Sequence, residues 1–396
     1  MTLADPQIRT TGDAATAPSL ATAGTLPAAW YHDPAHHEQE LDAVFRRLWT
    51  CVGVDDDVAR PGSFMAVETG AGLPVVITRD ADGVLHGLVN VCRHRGGPLA
   101  SGCGAARALS CAYHAWVYRL DGSLARASGM EGAEGFDPAN HHLYPVSVAT
   151  WARFVFVHPD PAAPPLDLGP LAAAIDPYPL DGYGLAVREQ HEREFNWKVL
   201  IENYSENFHT PFVHPSLIVA DWDYPIATEG AIALAWDRPR HPRNQAEEAL
   251  ASARPGDAAW GAVAANQIDD VFIAGIYFTV FPNLLVSTFP RYLSALHLTP
   301  LSPTRTRVQA YRFWTAEVPE ERRAADLAAS QEVAAQAFVI ISLITMSVGS
   351  AACAGPADTR AIPKPIDAAA TPTVANRRNP AVMRTLPHLV VAGSSS

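Results

Sequence analysis

Two short segments carry the densest chemistry in the sequence. Cys92-Arg93-His94 and, after sixteen intervening residues, Cys111-Ala112-Tyr113-His114 each supply one thiol and one imidazole. Two hairpin-like loops could bring all four groups to one metal centre. A tetrahedral zinc ion takes Cys2His2 sets, but the zinc-finger form pairs Cys with Cys and His with His. One Cys and one His per loop suits a [2Fe-2S] cluster, with two thiolates on one iron and two neutral imidazoles on the other. Residue types alone leave structural zinc open as the alternative. Cys103, between the loops, matches no ligand position and is expected to be a small buried residue.

A second constellation is Glu202-Asn203-Tyr204-Ser205-Glu206-Asn207-Phe208-His209, followed by Pro211 and His214. On an ideal helix, residues five apart lie about 140° apart around the axis, so His209 and His214 could not share a metal. Pro211 obstructs continuation of that helix and lets His214 fold back toward His209. Two histidines, a carboxylate and open positions make a non-haem Fe(II) site that activates oxygen. Buried histidines that merely hydrogen-bond are the plainer reading of the pair.

The elements that must position these groups follow from pattern. Asp33-Pro34 reads as an N-cap and first helical residue, with Leu41, Val44, Phe45 and Leu48 on one face. From Cys51 to Pro159 the runs PVVITRD, GVLHGLVNV, AWVYRLDGSL and WARFVFVHPD read as antiparallel strands, with Asp121-Gly122 as a hairpin turn. The proline-rich stretch 159–171 reads as a linker. Beyond it EREFNWKVLIENYSENFH looks like a strand running into a helix. IYFTVFPNLLVSTFP, YLSALHLTP and TRVQAYRFWTAE look like three strands of one sheet, and a helix opens after Pro319. The expected class is α+β: a loose tail 1–29, an N-terminal helix and antiparallel β domain 30–158, the linker, a domain 172–337 with an antiparallel sheet covered by helices, and an atypical tail 338–396.

Composition narrows the function classes. The chain has 396 residues, 48% of them hydrophobic, and a net charge of -12, which argues against nucleic-acid binding and against docking on anionic lipid. Five scattered cysteines do not suggest a disulfide framework. The N-terminus lacks a secretory pattern, and serines, a threonine and glycines dilute the uncharged stretch 337–355, so a cytoplasmic protein outside the membrane is expected. Only two lysines, Lys198 and Lys364, occur among 29 basic residues.

CRHRGGPL and CAYHAWVY resemble the two cluster loops of the Rieske family, and 30–314 resembles the α (oxygenase) subunit of Rieske non-haem iron oxygenases. The resemblance implies a [2Fe-2S] cluster on Cys92, His94, Cys111 and His114, and a mononuclear Fe(II) on His209 and His214. It implies that Glu206 bridges the two centres across neighbouring copies of a homotrimer, toward His114, and that Asn203 lies near the iron. It also implies O2 and a small organic substrate. No dinucleotide fingerprint or plant-type ferredoxin spacing occurs, so electrons should come from NAD(P)H through a separate flavin/iron–sulfur reductase. Glu at 206, where ring hydroxylases usually have Asp, points toward quaternary or N-methylated amines such as choline, carnitine and betaines. Trp222, Tyr224, Tyr277, Phe289 and Tyr292 are candidates for an aromatic cage. Ring hydroxylation is the alternative.

The family pattern breaks at one place. It has an aspartate as third iron ligand on a C-terminal helix, whereas this sequence reads Ala334-Ala335-Gln336-Ala337-Phe338-Val339-Ile340. On a helix Glu332 faces about 140° away and Asp326 lies about 16 Å along the axis, so neither should reach the same iron. From Phe338 onward there is no glutamate, tyrosine or tryptophan, a composition resembling a GC-rich gene read out of frame. An impaired or electron-transfer-only protein is a further alternative.

Overall fold

The computed structural model describes residues 26–205, 209, 213, 222–223, 225–229, 232–266 and 274–351. Its architecture is the expected α+β: an antiparallel β domain followed by a second antiparallel sheet covered by helices.

Asp33 caps helix α1 (Pro34–Glu40) by accepting a hydrogen bond from the Ala35 amide at 2.8 Å. The expected single helical face does not continue. A π-helical turn, Leu41–Phe45, follows directly; it buries Leu41 and Phe45 but leaves Val44 and Leu48 only partly covered. The wider turn shifts the register by which i, i+3, i+4 and i+7 would have shared a stripe.

The first domain is built on β1 (Thr50–Val54), β2 (Ser63–Glu68), β3 (Pro74–Arg79), β4 (Leu85–Val89), β5 (Cys103–Ala105), β9 (Pro145–Trp151) and β10 (Phe154–His158). They form one sheet in the order β1-β10-β9-β4-β3-β2-β5. A smaller sheet joins β6 (Leu109–Ser110), β7 (Val117–Tyr118) and β8 (Leu124–Arg126). Gly122 takes φ +85° in the β7–β8 turn, where the Asp121 carboxylate accepts from the Ser123 amide at 2.8 Å. Cys103 is exposed, contrary to expectation, because β5 is the edge strand and pairs only with β2.

Residues 159–170 contain neither helix nor strand, yet they are seated. Trp49 Nε1 donates to the Pro164 carbonyl at 3.0 Å, and Leu166 and Leu168 pack on the core. After α2 (Leu171–Ile175), the second large sheet uses β11 (Gly184–Arg193), β13 (Ile226–Glu229), β14 (Ile232–Trp236), β16 (Ile276–Val280), β17 (Leu284–Phe289), β18 (Tyr292–Ser302) and β19 (Arg305–Trp314). Their order is β11-β19-β18-β17-β16-β14-β13, and a two-strand pair, β12 (Trp222–Asp223) with β15 (Arg238–Pro239), stands apart. IYFTVFPNLLVSTFP is thus two strands joined by a turn at 281–283, not the one strand expected. All five residues of β16 are buried, so no polar alternation marks where one strand ends and the next begins.

Helices α3 (Trp197–Tyr204), α4 (Gln245–Ser252), α5 (Ala258–Asn266) and α6 (Glu320–Ala351) complete the described elements. Helix α6 runs through 337–338 without a break, so the expected change from domain to tail at that point is not a structural boundary. Cys353 and Lys364 lie outside the described residues. Among the described residues no helix is long and apolar enough to cross a membrane.

One hydrophobic cluster crosses both domains. Cys51, Val54, Phe154 and Phe156 of the first pack with Ile276, Phe278, Tyr311 and Phe313 of the second. Arg188 of β11 adds an ion pair to Asp57, donating to both carboxylate oxygens at 2.9 Å.

Candidate metal centres

The two Cys/His loops share a local design. In the first, the Cys92 amide donates to the Gly97 carbonyl at 2.8 Å and the Gly96 amide to the Cys92 carbonyl at 3.0 Å. In the second, the Cys111 amide donates to Trp116 O at 2.9 Å and the Ala115 amide to Cys111 O at 3.0 Å. Each closed turn needs a left-handed residue, Gly96 at φ +75° and Ala115 at φ +54°. Asn90 fixes the base of the first loop: its Oδ1 accepts from the Leu99 and Ala100 amides at 3.1 Å, and its Nδ2 donates to Ala100 O at 2.8 Å.

These turns set the two imidazoles side by side and bury both thiols. Cys92 and Cys111 are buried. The His94 and His114 rings are 4.7 Å apart, and His94 stacks on Trp116 at 4.9 Å and 7°. The His94 Nδ1 is buried without a hydrogen-bond partner. Burial, the neighbouring His114 and Arg95 hold the His94 pKa below its ordinary value, which favours the neutral ring a metal requires. A Cβ added at Gly97 would lie 3.1 Å from Cys111 Sγ, so the loops close around that thiol with no room to spare. The Tyr118 hydroxyl lies 3.4 Å from Cys92 Sγ and accepts from the Arg93 amide at 3.0 Å. Among the described residues no three His, Cys, Asp or Glu side chains converge on a single point. A two-iron cluster instead takes its protein ligands two and two, and this donor set fits one.

The second constellation starts on α3. Asn196 caps the helix, its Oδ1 accepting from the Lys198 amide at 3.0 Å. Trp197, Leu200, Ile201 and Tyr204 form the buried stripe, packed against Leu285, Leu298 and Val308 of the sheet and Ile341 of α6. The helix ends at Ser205, with Asn203 half-buried. His209 is half-buried in a turn in which its carbonyl accepts from the Val213 amide at 2.9 Å. Glu206 and His214 lie outside the described residues. Of the two histidines expected to hold an iron, His209 is the one that lies among the described residues.

Helix α6 reaches this region with an apolar side. Ala337 is half-buried, and Phe338 stacks on Phe195 with the Arg193 guanidinium 4.8 Å above its ring. Asp326 is buried and accepts from Arg322 Nε at 2.7 Å, while Glu332 is exposed and accepts from Gln336.

The aromatic candidates divide. Tyr277, Phe289 and Tyr292 are buried in a packed cluster with Trp314 and Val318, with the Tyr277 hydroxyl donating to Asp237 at 3.1 Å, so they are core, not cage walls. Tyr224 and the Trp222 side chain lie outside the described residues. Sequence reasoning missed a buried polar cluster between α3 and the N-terminal segment. There Tyr31 donates to Glu202 at 2.6 Å and Lys198 pairs with Glu40 at 2.5 Å. The one signal for it was a lysine in a chain that has only one other.

The comparisons with known proteins agree with this geometry. Residues 48–137 match the Rieske [2Fe-2S] domain, and residues 180–341 match the catalytic domain of the ring-hydroxylating alpha subunit. The chain belongs to the Rieske oxygenase α subunits, a family whose two domains imply a Rieske cluster and a mononuclear iron. Within it, the chain is similar to the chloroplastic choline monooxygenase of Spinacia oleracea, at 28% identity over 72% of this chain and 62% of that protein. It is 36% identical to the carnitine monooxygenase oxygenase subunit of Acinetobacter pittii over 49% of this chain and 53% of that one. The chain thus spans less than two thirds of these relatives' lengths. The solved quaternary ammonium Rieske monooxygenase CntA in complex with L-carnitine superposes with a TM-score of 0.67 at 25% identity, covering 82% of this chain and 85% of that one.

Proposed function

We propose that this chain is the terminal oxygenase component of a multi-component system. It uses O2 and reductase-supplied electrons to hydroxylate or N-demethylate a small quaternary or N-methylated amine. The observation that carries the proposal is the facing pair of Cys/His loops, with His94 and His114 rings 4.7 Å apart, in a chain whose relatives are choline and carnitine monooxygenases. Cys92, His94, Cys111 and His114 are assigned to the cluster, His209 and His214 to the iron, and Asn203 to its surroundings. When bound, the cluster supplies single electrons and the iron supplies the oxygen-activating centre. The protein's part is to keep the His94 imidazole neutral, to bury the two thiols and to hold α3 against the sheet.

Glu206 is assigned as the carboxylate linking the iron site to His114 of a neighbouring copy, in a homotrimer. A separate flavin/iron–sulfur reductase drawing on NAD(P)H is the proposed electron source, and the cytoplasm the proposed compartment. The test begins with iron and sulfide per chain and the EPR spectrum of the reduced protein. Turnover with a supplied reductase then follows, offering choline, carnitine, glycine betaine and aromatic acids. A Rieske-type signal with product from an amine supports the proposal. Zinc without sulfide refutes it, and product from aromatic acids alone replaces the substrate class with ring hydroxylation.

A further inference from the structure

Lys198 lies on α3, the helix that leads to His209, and is almost fully buried. Its ammonium group meets three acceptors: Glu40 Oε1 at 2.5 Å, the Trp30 carbonyl at 2.8 Å and Asn196 Oδ1 at 2.9 Å. An ammonium group has three donors, so all are used. One acceptor is the cap of α3 itself; the other two belong to the N-terminal segment 28–45. Glu40 is held a second time, by Trp197 Nε1 at 3.2 Å. One helical turn further along, Tyr31 donates to both oxygens of Glu202, at 2.6 and 2.8 Å. Asn196 Nδ2 donates to the Tyr31 carbonyl at 3.3 Å and to Pro303 O at 2.8 Å. Phe45 closes the far end of the segment edge-on against Trp197, with ring centroids 5.2 Å apart.

We infer that segment 28–45 is a strap that sets the position of the iron-site helix, with Lys198 as the positioning residue through which it acts. The inference rests on the reading of α3 as the iron-site helix. The apolar stripe of α3 fixes how deeply the helix sits on the sheet, but aliphatic packing tolerates small slides along the axis. Directed hydrogen bonds do not. Lys198 and Glu202, at i and i+4, make one stripe whose two clasps fix rotation and axial position together. Glu202 is adjacent to Asn203, and the helix ends at Ser205, four residues before His209. A planar guanidinium fork cannot address three acceptors placed around a point as an ammonium group does. That geometry explains a lysine here in a chain with two lysines among 29 basic residues.

The test uses the full chain carrying its cluster. Three variants, Lys198→Met, Lys198→Arg and the double variant Lys198→Met/Glu40→Met, are compared with wild type. The measurements are amide hydrogen exchange over Trp197–Tyr204, Fe(II) titration, thermal midpoint and EPR of the reduced cluster. Lys198→Met should speed exchange in α3 by about tenfold or more and weaken Fe(II) binding, because it strands a buried Glu40, while the cluster signal stays unchanged. Lys198→Arg should not rescue either property. The double variant removes the stranded charge, so its thermal midpoint should recover while its Fe(II) binding stays weak. Exchange within about twofold of wild type in Lys198→Met, rescue by arginine, or recovery of Fe(II) binding with stability in the double variant each overturns the inference. If wild type takes up no Fe(II), the iron-site reading fails, and exchange in α3 with the arginine comparison still decides the strap.

Discussion

The side chain of Asn283 grips both backbone groups of Cys51. Its Oδ1 accepts from the Cys51 amide at 2.9 Å and its Nδ2 donates to the Cys51 carbonyl at 2.9 Å, with a further bond to the Leu298 carbonyl at 3.1 Å. Asn283 belongs to the β16–β17 turn of the catalytic domain and Cys51 to the first strand of the Rieske domain, so one amide staples the two together.

Removing that staple leaves buried backbone groups unsatisfied. Asn283→Ala should lower unfolding stability by about 2–4 kcal/mol, read as a shift in the urea midpoint. Asn283→Asp keeps an acceptor for the amide but turns an oxygen toward two carbonyls, and should be at least as damaging. An unchanged midpoint in both variants would show that water takes over the role.

The cluster loops predict a steric effect at a position with no ligand. In Gly97→Ala the new methyl would meet Cys111 Sγ at 3.1 Å, so the thiol must shift by a few tenths of an ångström. Sulfide content and visible absorbance of the purified protein should fall, while Cys103→Ser, on the exposed edge strand, should leave both at wild-type levels. Full cluster loading in Gly97→Ala contradicts the close fit.

In the proposed iron site, Ala337 stands where α6 would be expected to supply an anionic donor. Ala337→Asp should raise mononuclear iron per chain, because an anionic donor neutralises charge and adds a point of fixation that water lacks. Iron per chain, corrected for two irons per cluster, measures it. An unchanged ratio with full loading in wild type would place the third donor elsewhere, with Glu206 the first to substitute.

His297 provides a pH test. Burial lowers its pKa from 6.5 to about 4, outweighing the hydrogen bonds that oppose the shift, so the folded chain keeps the ring neutral where the unfolded chain is protonated. Between pH 6.5 and about 4 the unfolded state therefore binds more protons, and this residue's contribution to stability falls as pH falls through that window. His297→Gln should flatten the pH dependence of the urea midpoint in that range relative to wild type. Parallel curves for the two proteins would show that other groups govern acid unfolding.

Much of this molecule was legible from local pattern. The paired Cys/His loops, the Asp33 cap and the turn at Asp121-Gly122 each depend on residues within a few positions of one another. What escaped depends on distant residues or on the loss of alternation. The β16–β17 hairpin was invisible because β16 is buried on both faces. The π-turn at Leu41–Phe45 seats Phe45 against Trp197 of α3, a contact that no 3.6-residue period reports. Lys198 and Glu40 lie 158 positions apart, so only the folded chain reveals that they are partners. Residue type alone predicts a buried Cys103, and its place on an edge strand decides otherwise.

The shared core has a consequence for how this protein ages and fails. Phe154 and Phe156 from one domain and Phe278 and Phe313 from the other occupy a single apolar volume, and 159–170 is pinned across it by Trp49. Neither half can expose its face without exposing the other's. Heat, urea or oxidation at either end should therefore bleach the cluster and melt the catalytic sheet in one transition, and proteolysis should not release an intact red-brown fragment. The chain survives or is lost as one piece.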